Sequence, residues 1–211
     1  MTEVSTRTID NQSPDTQCIS GKTPLILTGI FIQLLEKHFS VESNIVDPAL
    51  KPYLWKPDVR ETGMVIDTNF NLDWKSVGKR PAIIVKRGNI QSVKLTLDDA
   101  NPEASIYDDR EAYIRGKVGD HTMFCIAPNG GLTEILGNEV SDEFMQFASA
   151  IRQDLGFNKF EETMISEVQQ IEESDTHFVV AIKVEYGYIR EWSLTPEQPV
   201  LKVASLDMKW R

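Results

Sequence analysis

The stretch from Leu132 to Leu155 constrains the fold more than any other part of the chain. Leu132, Ile135, Leu136, Val140, Phe144, Phe147, Ala148, Ile151 and Leu155 recur at steps of three or four. Apolar side chains at that spacing line one stripe of a helix, and the stripe must be buried. Pro128-Asn129-Gly130-Gly131 breaks the chain before it, and Gly156 stands where a helix would stop. A long helix with one apolar side needs a layer to lie on, and the rest of the sequence offers strands.

Upstream, Thr23-Pro24 opens a shorter helix, with threonine as its N-cap and proline at the first helical position. Leu27, Ile30, Phe31, Leu34 and Leu35 follow at helical spacing, and the helix should fade near Phe39. Residues 1–22 are polar and are expected to be an extended N-terminal arm held by a partner. Residues 43–80 read as an irregular insertion, broken by the prolines of DPALKPYLWKP, with GMVIDTNF as a short strand.

RPAIIVKRG is β-branched and apolar, a core strand expected to end at Gly88. IQSVKLTL alternates as its partner, which predicts a hairpin around Arg87-Gly88-Asn89. NPEASIYDDREA reads as a loop. AYIRGKVGDHTMFCIAP predicts two strand segments with a turn at Gly119-Asp120. After the long helix, FNKFEETMISEVQQIEES predicts a connection and then a strand or a second helix. HFVVAIKVEYGYIREW is a strand and PVLKVASLDM another. The order predicts an α+β fold: an antiparallel or mixed sheet with two main helices packed on it, in a single domain over 23–211.

The chain has 211 residues, 41% of them hydrophobic and 26% charged, which suffices for one domain with a real core. A formal net charge of −10 disfavours nucleic-acid binding through a basic face. It does not disfavour a wall past which DNA slides. MTEVSTRTIDNQSPDTQ has neither the basic start nor the apolar run of a signal peptide. No apolar run approaches the ~18 residues of a membrane span. No membrane partner is expected, and Cys18 and Cys125 are expected to be reduced thiols in a protein made in the cytoplasm.

Chemistry finds few footholds. His38, His121 and His177 are far apart in sequence. His121 and Cys125 share a strand face but sit about 13 Å apart at ~3.3 Å per residue, too far for one metal. Phosphate-loop, dinucleotide, nucleophile-elbow and HExxH patterns do not occur. Gly130-Gly131 before a helix could hold an anion, but it lacks a lysine and Glu134 follows. Asp58 with Asp73-Trp74-Lys75 has the residue types by which a metal-dependent nuclease holds its ion, in a loop-like setting. No cofactor is expected.

Two sets invite an interface reading. From Leu132 to Thr176 eleven Asp and Glu stand against Arg152 and Lys159, either a solvated helix face or a surface that repels DNA or meets a basic partner. Tyr53, Trp55, Tyr188, Arg190, Trp192 and Trp210 are the candidate contacts, since large aromatic and arginine side chains favour interfaces.

The segment from Arg80 to Trp192 resembles the tail-terminator and neck (head-to-tail joining) proteins of tailed bacteriophages. The resemblance lies in KRPAIIVKRG as an early core strand, HTMFCIAPNGG as a strand entering the long helix, GLTEILGNEVSDEFMQFASAIRQDLGF, and HFVVAIKVEYGYIREW as the closing strand. It implies a non-enzymatic virion protein, assembled in the host cytoplasm into a homo-oligomeric ring, commonly a hexamer. Such a ring caps the tail tube, meets the head connector and neck proteins, and passes DNA without binding it specifically. The N-terminal arm and the 43–80 insertion exceed what small members carry. A head-completion or connector subunit is the alternative, and a nuclease the more distant one. On this reading Tyr188, Arg190 and Trp192 face an adjacent subunit, and a charged residue at Trp192 should block assembly without unfolding the monomer.

Overall fold

Helix α1, Pro24–Phe39, begins where its cap chemistry dictates: the Thr23 hydroxyl accepts the Ile26 N–H at 3.3 Å. A 3-10 turn, Glu42–Asn44, follows, and then strands β1, Val65–Thr68, and β2, Ala82–Val93. Strand β3, Glu111–Ala127, leads into helix α2, Gly130–Asp154, and strands β4, Lys159–Ile165, β5, Gln169–Gln170, and β6, Phe178–Leu194, complete the order. The computed structural model describes residues 23–69, 78–97, 111–171 and 176–194, with only the backbone at 111–112 and 192–194. The expected N-terminal arm and the strand at PVLKVASLDM lie outside the described residues, as does most of the NPEASIYDDREA loop.

The strands form one six-stranded mixed sheet in the order β1-β2-β3-β6-β4, with β5 also on β6. Strand β1 runs parallel to β2, whereas β4 and β5 run antiparallel to β6. Two helices on a mixed sheet are the α+β fold that the order of elements implies. The chain divides into two compact units. One comprises Lys22–Val93 and Lys117–Ile189. In the other, Met1–Gly21, Lys94–Gly116 and Arg190–Arg211, only 94–97, the start of β3 and the end of β6 are described.

In the first unit both helices lie on one face of the sheet. Val180, Ile182, Val184 and Tyr186 alternate along β6 and are buried. Val180 meets α2 at Gly137, where a Cβ would stand 2.9 Å from its methyl group. Tyr186 meets Phe31 of α1, ring to ring at 6.2 Å. Leu27, Phe31, Leu35 and Phe39 of α1 and Leu136, Val140 and Phe144 of α2 are buried to within a percent. The opposite face has a smaller apolar cluster of Ala82, Ile84 and Ile126, with Val65, Phe124 and Ile171 against it. Further along that face Lys159 pairs with Glu185 across β4 and β6 and with Glu161 on its own strand, and Lys183 pairs with Asp120 of β3 and with Glu185 on its own strand.

Two expected turns are not turns. Strand β2 runs through Gly88 without a hairpin, and β3 runs through Gly119 as one strand. A Cβ on Gly88 would collide with the Asp120 carboxylate, and one on Gly119 would lie 2.9 Å from both Ile90 and the Tyr186 hydroxyl. These glycines admit neighbouring side chains instead of reversing the chain. Contacts of Gly88 with Asp120, Gly119 with Ile90 and Lys117 with Ser92 run in opposite senses along the two strands, so β2 and β3 are antiparallel. FNKFEETMISEVQQ resolves as strand, and Gly156, with φ of 60°, ends α2 as its position implies.

Candidate functional site

The apolar stripe of α1 is wider than the sheet can cover. Leu27, Phe31 and Leu35 are buried, but Ile30 and Leu34 stay half-buried. They form one wall of an open groove of about 680 Å³, with α2 from Glu139 to Asp154 and its cap Leu155 as the other, and Ser43, Asn44 and Val46 also lining it. Phe147, Ala150 and Ile151 supply its apolar surface along α2, and Phe147 is 43% exposed. Glu139, Asp142, Glu143 and Asp154 also line it, against Lys37 and His38.

A three-residue ionic clasp sits in this groove. His38 Nε2 lies 3.0 Å from Glu139 Oε1, and its Nδ1 lies 2.7 Å from Glu143 Oε2. Each carboxylate can only accept, so both ring nitrogens donate and the ring is an imidazolium. Burial works against that charge, but hydrogen bonds and attraction from Glu143 and Glu139 outweigh it and hold the His38 pKa above its ordinary value. Glu139, 5% exposed, accepts two further bonds, from the Val46 N–H at 3.0 Å and the Asp47 N–H at 3.4 Å. One glutamate thus ties α2 to the end of α1 and to the chain that follows it.

A second histidine sits deeper. The Thr28 hydroxyl donates to the Pro24 carbonyl at 3.0 Å, which uses its only hydrogen. It therefore accepts from His121 Nε2, at 2.8 Å, and His121 is the neutral Nε2–H tautomer. Its Nδ1 is buried without a partner, as is the Tyr186 hydroxyl. Phe31 packs edge-on at 5.0 Å and Tyr186 lies at 5.4 Å. Burial, with the charge of Arg87 adding to it, lowers the His121 pKa to about 4. Burial, then the Tyr188 and Asp120 charges, raise that of Tyr186 against Arg87. Cys125 is fully buried and its thiol is pushed up by burial, so it is no nucleophile.

No protein-family model and no curated protein matches this chain.

The candidate contacts scatter. Tyr53 and Trp55 are half-buried, and the Trp55 N–H donates to the Phe39 carbonyl at 3.0 Å, fastening the insertion to the end of α1. Tyr188, expected at a subunit face, is 6% exposed and packs against Phe157 and Tyr186. It belongs to the aromatic layer because its even position on β6 puts it on the helix face. Arg190 is exposed, while the Trp192 side chain and all of Trp210 lie outside the described residues. Of the nuclease set, Asp58 is exposed and caps its own turn through the Arg60 N–H, and Asp73, Trp74 and Lys75 lie outside the described residues. Among the described residues no group of three His, Cys, Asp or Glu is placed to hold a metal, and no helix is long and apolar enough to cross a membrane. Asn129 caps α2 through the Gly131 N–H at 2.8 Å, occupying one of the donors that an anion there would use.

The acidic run is not one solvated face. Glu139 and Glu143 bind His38, Glu162 accepts from the Ser141 hydroxyl, and Glu161 pairs with Lys159. The clasp was half-visible in sequence: Glu139 stands within the apolar stripe, beside Leu136 and Val140, where an unpartnered carboxylate would be costly. Its partner, 101 residues away, had no sequence signal.

Proposed function

We propose that the chain is a structural virion protein, a tail-terminator or neck ring subunit that caps the tail tube and joins it to the head connector, with DNA passing through the ring. The open edge of β2 carries this reading. Strand β1 pairs with β2 only from Ala82 to Val85. From Lys86 to Val93, β2 keeps β3 on one side, has no described strand on the other, and buries no side chain. A strand ribbon without a covering layer is marginal by itself, and an open edge is a template for a neighbouring chain. A ring supplies that neighbour at every subunit. The acidic surplus favours a channel wall that DNA slides past.

Cryo-EM of the particle that contains this protein tests the reading. A sixfold ring between tail tube and head connector, with β2 edges against adjacent subunits, is the expected result. Twelvefold placement against the portal would move the chain to the connector class, and absence from the particle would remove both structural roles.

A further inference from the structure

We propose that the groove between α1 and α2 receives residues 195–211 of a second copy of this chain. The groove asks for a ligand with two properties. Ile30, Leu34 and Phe147 call for apolar anchors, because exposed apolar surface between two helices gains most from an apolar occupant. The lining also carries four carboxylates against Lys37 and the His38 imidazolium, so the occupant should be basic.

The segments outside the described residues can be compared for that chemistry. Residues 1–22, 98–110 and 172–175 each carry more acidic than basic residues, and 70–77 balance Asp73 with Lys75. Residues 195–211 alone have a basic excess, Lys202, Lys209 and Arg211 against Glu197 and Asp207. They also carry apolar anchors, Val200, Leu201, Val203, Leu206 and Trp210. Trp210, the largest of these side chains, is the natural principal anchor.

The assignment to a second copy rests on the ring reading, since a segment of one subunit entering a groove of the next is the head-to-tail contact from which closed rings are built. It would also account for the half-exposed stripe on α1, which the sheet leaves uncovered.

Sedimentation velocity on the full chain tests it. The wild-type protein should associate, whereas Phe147→Glu, which fills the groove with charge, and Trp210→Ser, which removes the anchor, should each weaken association about thirtyfold or more. Circular dichroism should be unchanged, because Phe147 is a surface residue. The two variants mixed in equal amounts should recover a heterodimer, since the Trp210 segment of one meets the intact groove of the other. A monomeric wild type, a variant that associates like the wild type, or a mixture that stays monomeric would overturn the inference. The last result would mean that both changes act within one chain. Such a failure would leave a sixfold ring in the particle standing, and absence from the particle would leave a recovered heterodimer standing, so the two readings fail separately.

Discussion

His38 and His121 are both almost fully buried, and both hold α1 to the rest of the fold, yet one is charged and the other neutral. Around His121 the neighbours are Phe31, Tyr186 and a hydroxyl that has already spent its hydrogen. Nothing there rewards a second proton. Around His38 stand two carboxylates, one on each ring nitrogen. Burial is common to both, and the partners decide the protonation state. The middle of α1 is therefore held by a contact that tolerates no added proton, and its end by one that requires a proton. The two make opposite demands on pH.

Phe31→Ala should break the first region most severely. Its ring touches His121, Phe144, Phe160 and Tyr186, so the cavity opens at the meeting point of both helices and the sheet. The expected loss is about 3–5 kcal/mol in urea denaturation. The His121 pKa, followed by NMR, should climb from about 4 towards the ordinary value as water enters. An unchanged pKa would mean that the aromatic layer is not what keeps the ring neutral.

Acid should separate the two histidines next. The folded pKa of His121 lies below that of the unfolded chain, so its contribution is complete above about pH 6.5 and is lost as pH falls towards 4. The single group is worth about 3 kcal/mol across that window. His121→Phe should flatten this part of the stability curve by about that amount relative to the wild type, and superimposed slopes would refute the assignment.

Glu139→Ala attacks the second region. It removes one His38 partner and orphans the Val46 and Asp47 N–H groups, for about 2 kcal/mol. Hydrogen exchange should quicken at Val46 and Asp47 but not around His121. The smallest effect should come from His38→Gln. The raised His38 pKa gives stability that is complete below the unfolded value, about 6.5, and is lost as pH rises through the folded one. The wild type should weaken on that alkaline side, and the variant should not.

The same contrast explains what the sequence could reveal. Periodicity and caps are local, so α1 was legible from Thr23 to Phe39 and α2 from Leu132 to its stop at Gly156, whereas Asn129-Gly130-Gly131, which reads as a chain break, is the cap and first residues of α2. Glycines misled. Gly88 and Gly119 look like turns because the usual reason for glycine is backbone freedom, whereas here the reason is a side chain from another strand. The groove was hidden in Ile30 and Leu34, which share the spacing of a buried stripe and differ only in what the sheet reaches. Tyr188 invites an interface reading because it is a large aromatic side chain, and only its parity on β6 sets it on the helix face. The clasp joins residues 101 positions apart, beyond any local pattern.

The imidazolium of His38 has a calorimetric consequence. The folded chain holds a proton there that the unfolded chain gives up once the pH is above its own, ordinary histidine value. Unfolding near neutral pH thus releases acid into the buffer. The heat of denaturation should then differ between phosphate and Tris by the difference in their ionisation enthalpies, scaled by the fraction of a proton released. Measured in the His121→Phe background, where the opposing proton uptake at His121 is absent, that fraction reports the proton the clasp holds, in a solution that contains no probe at all.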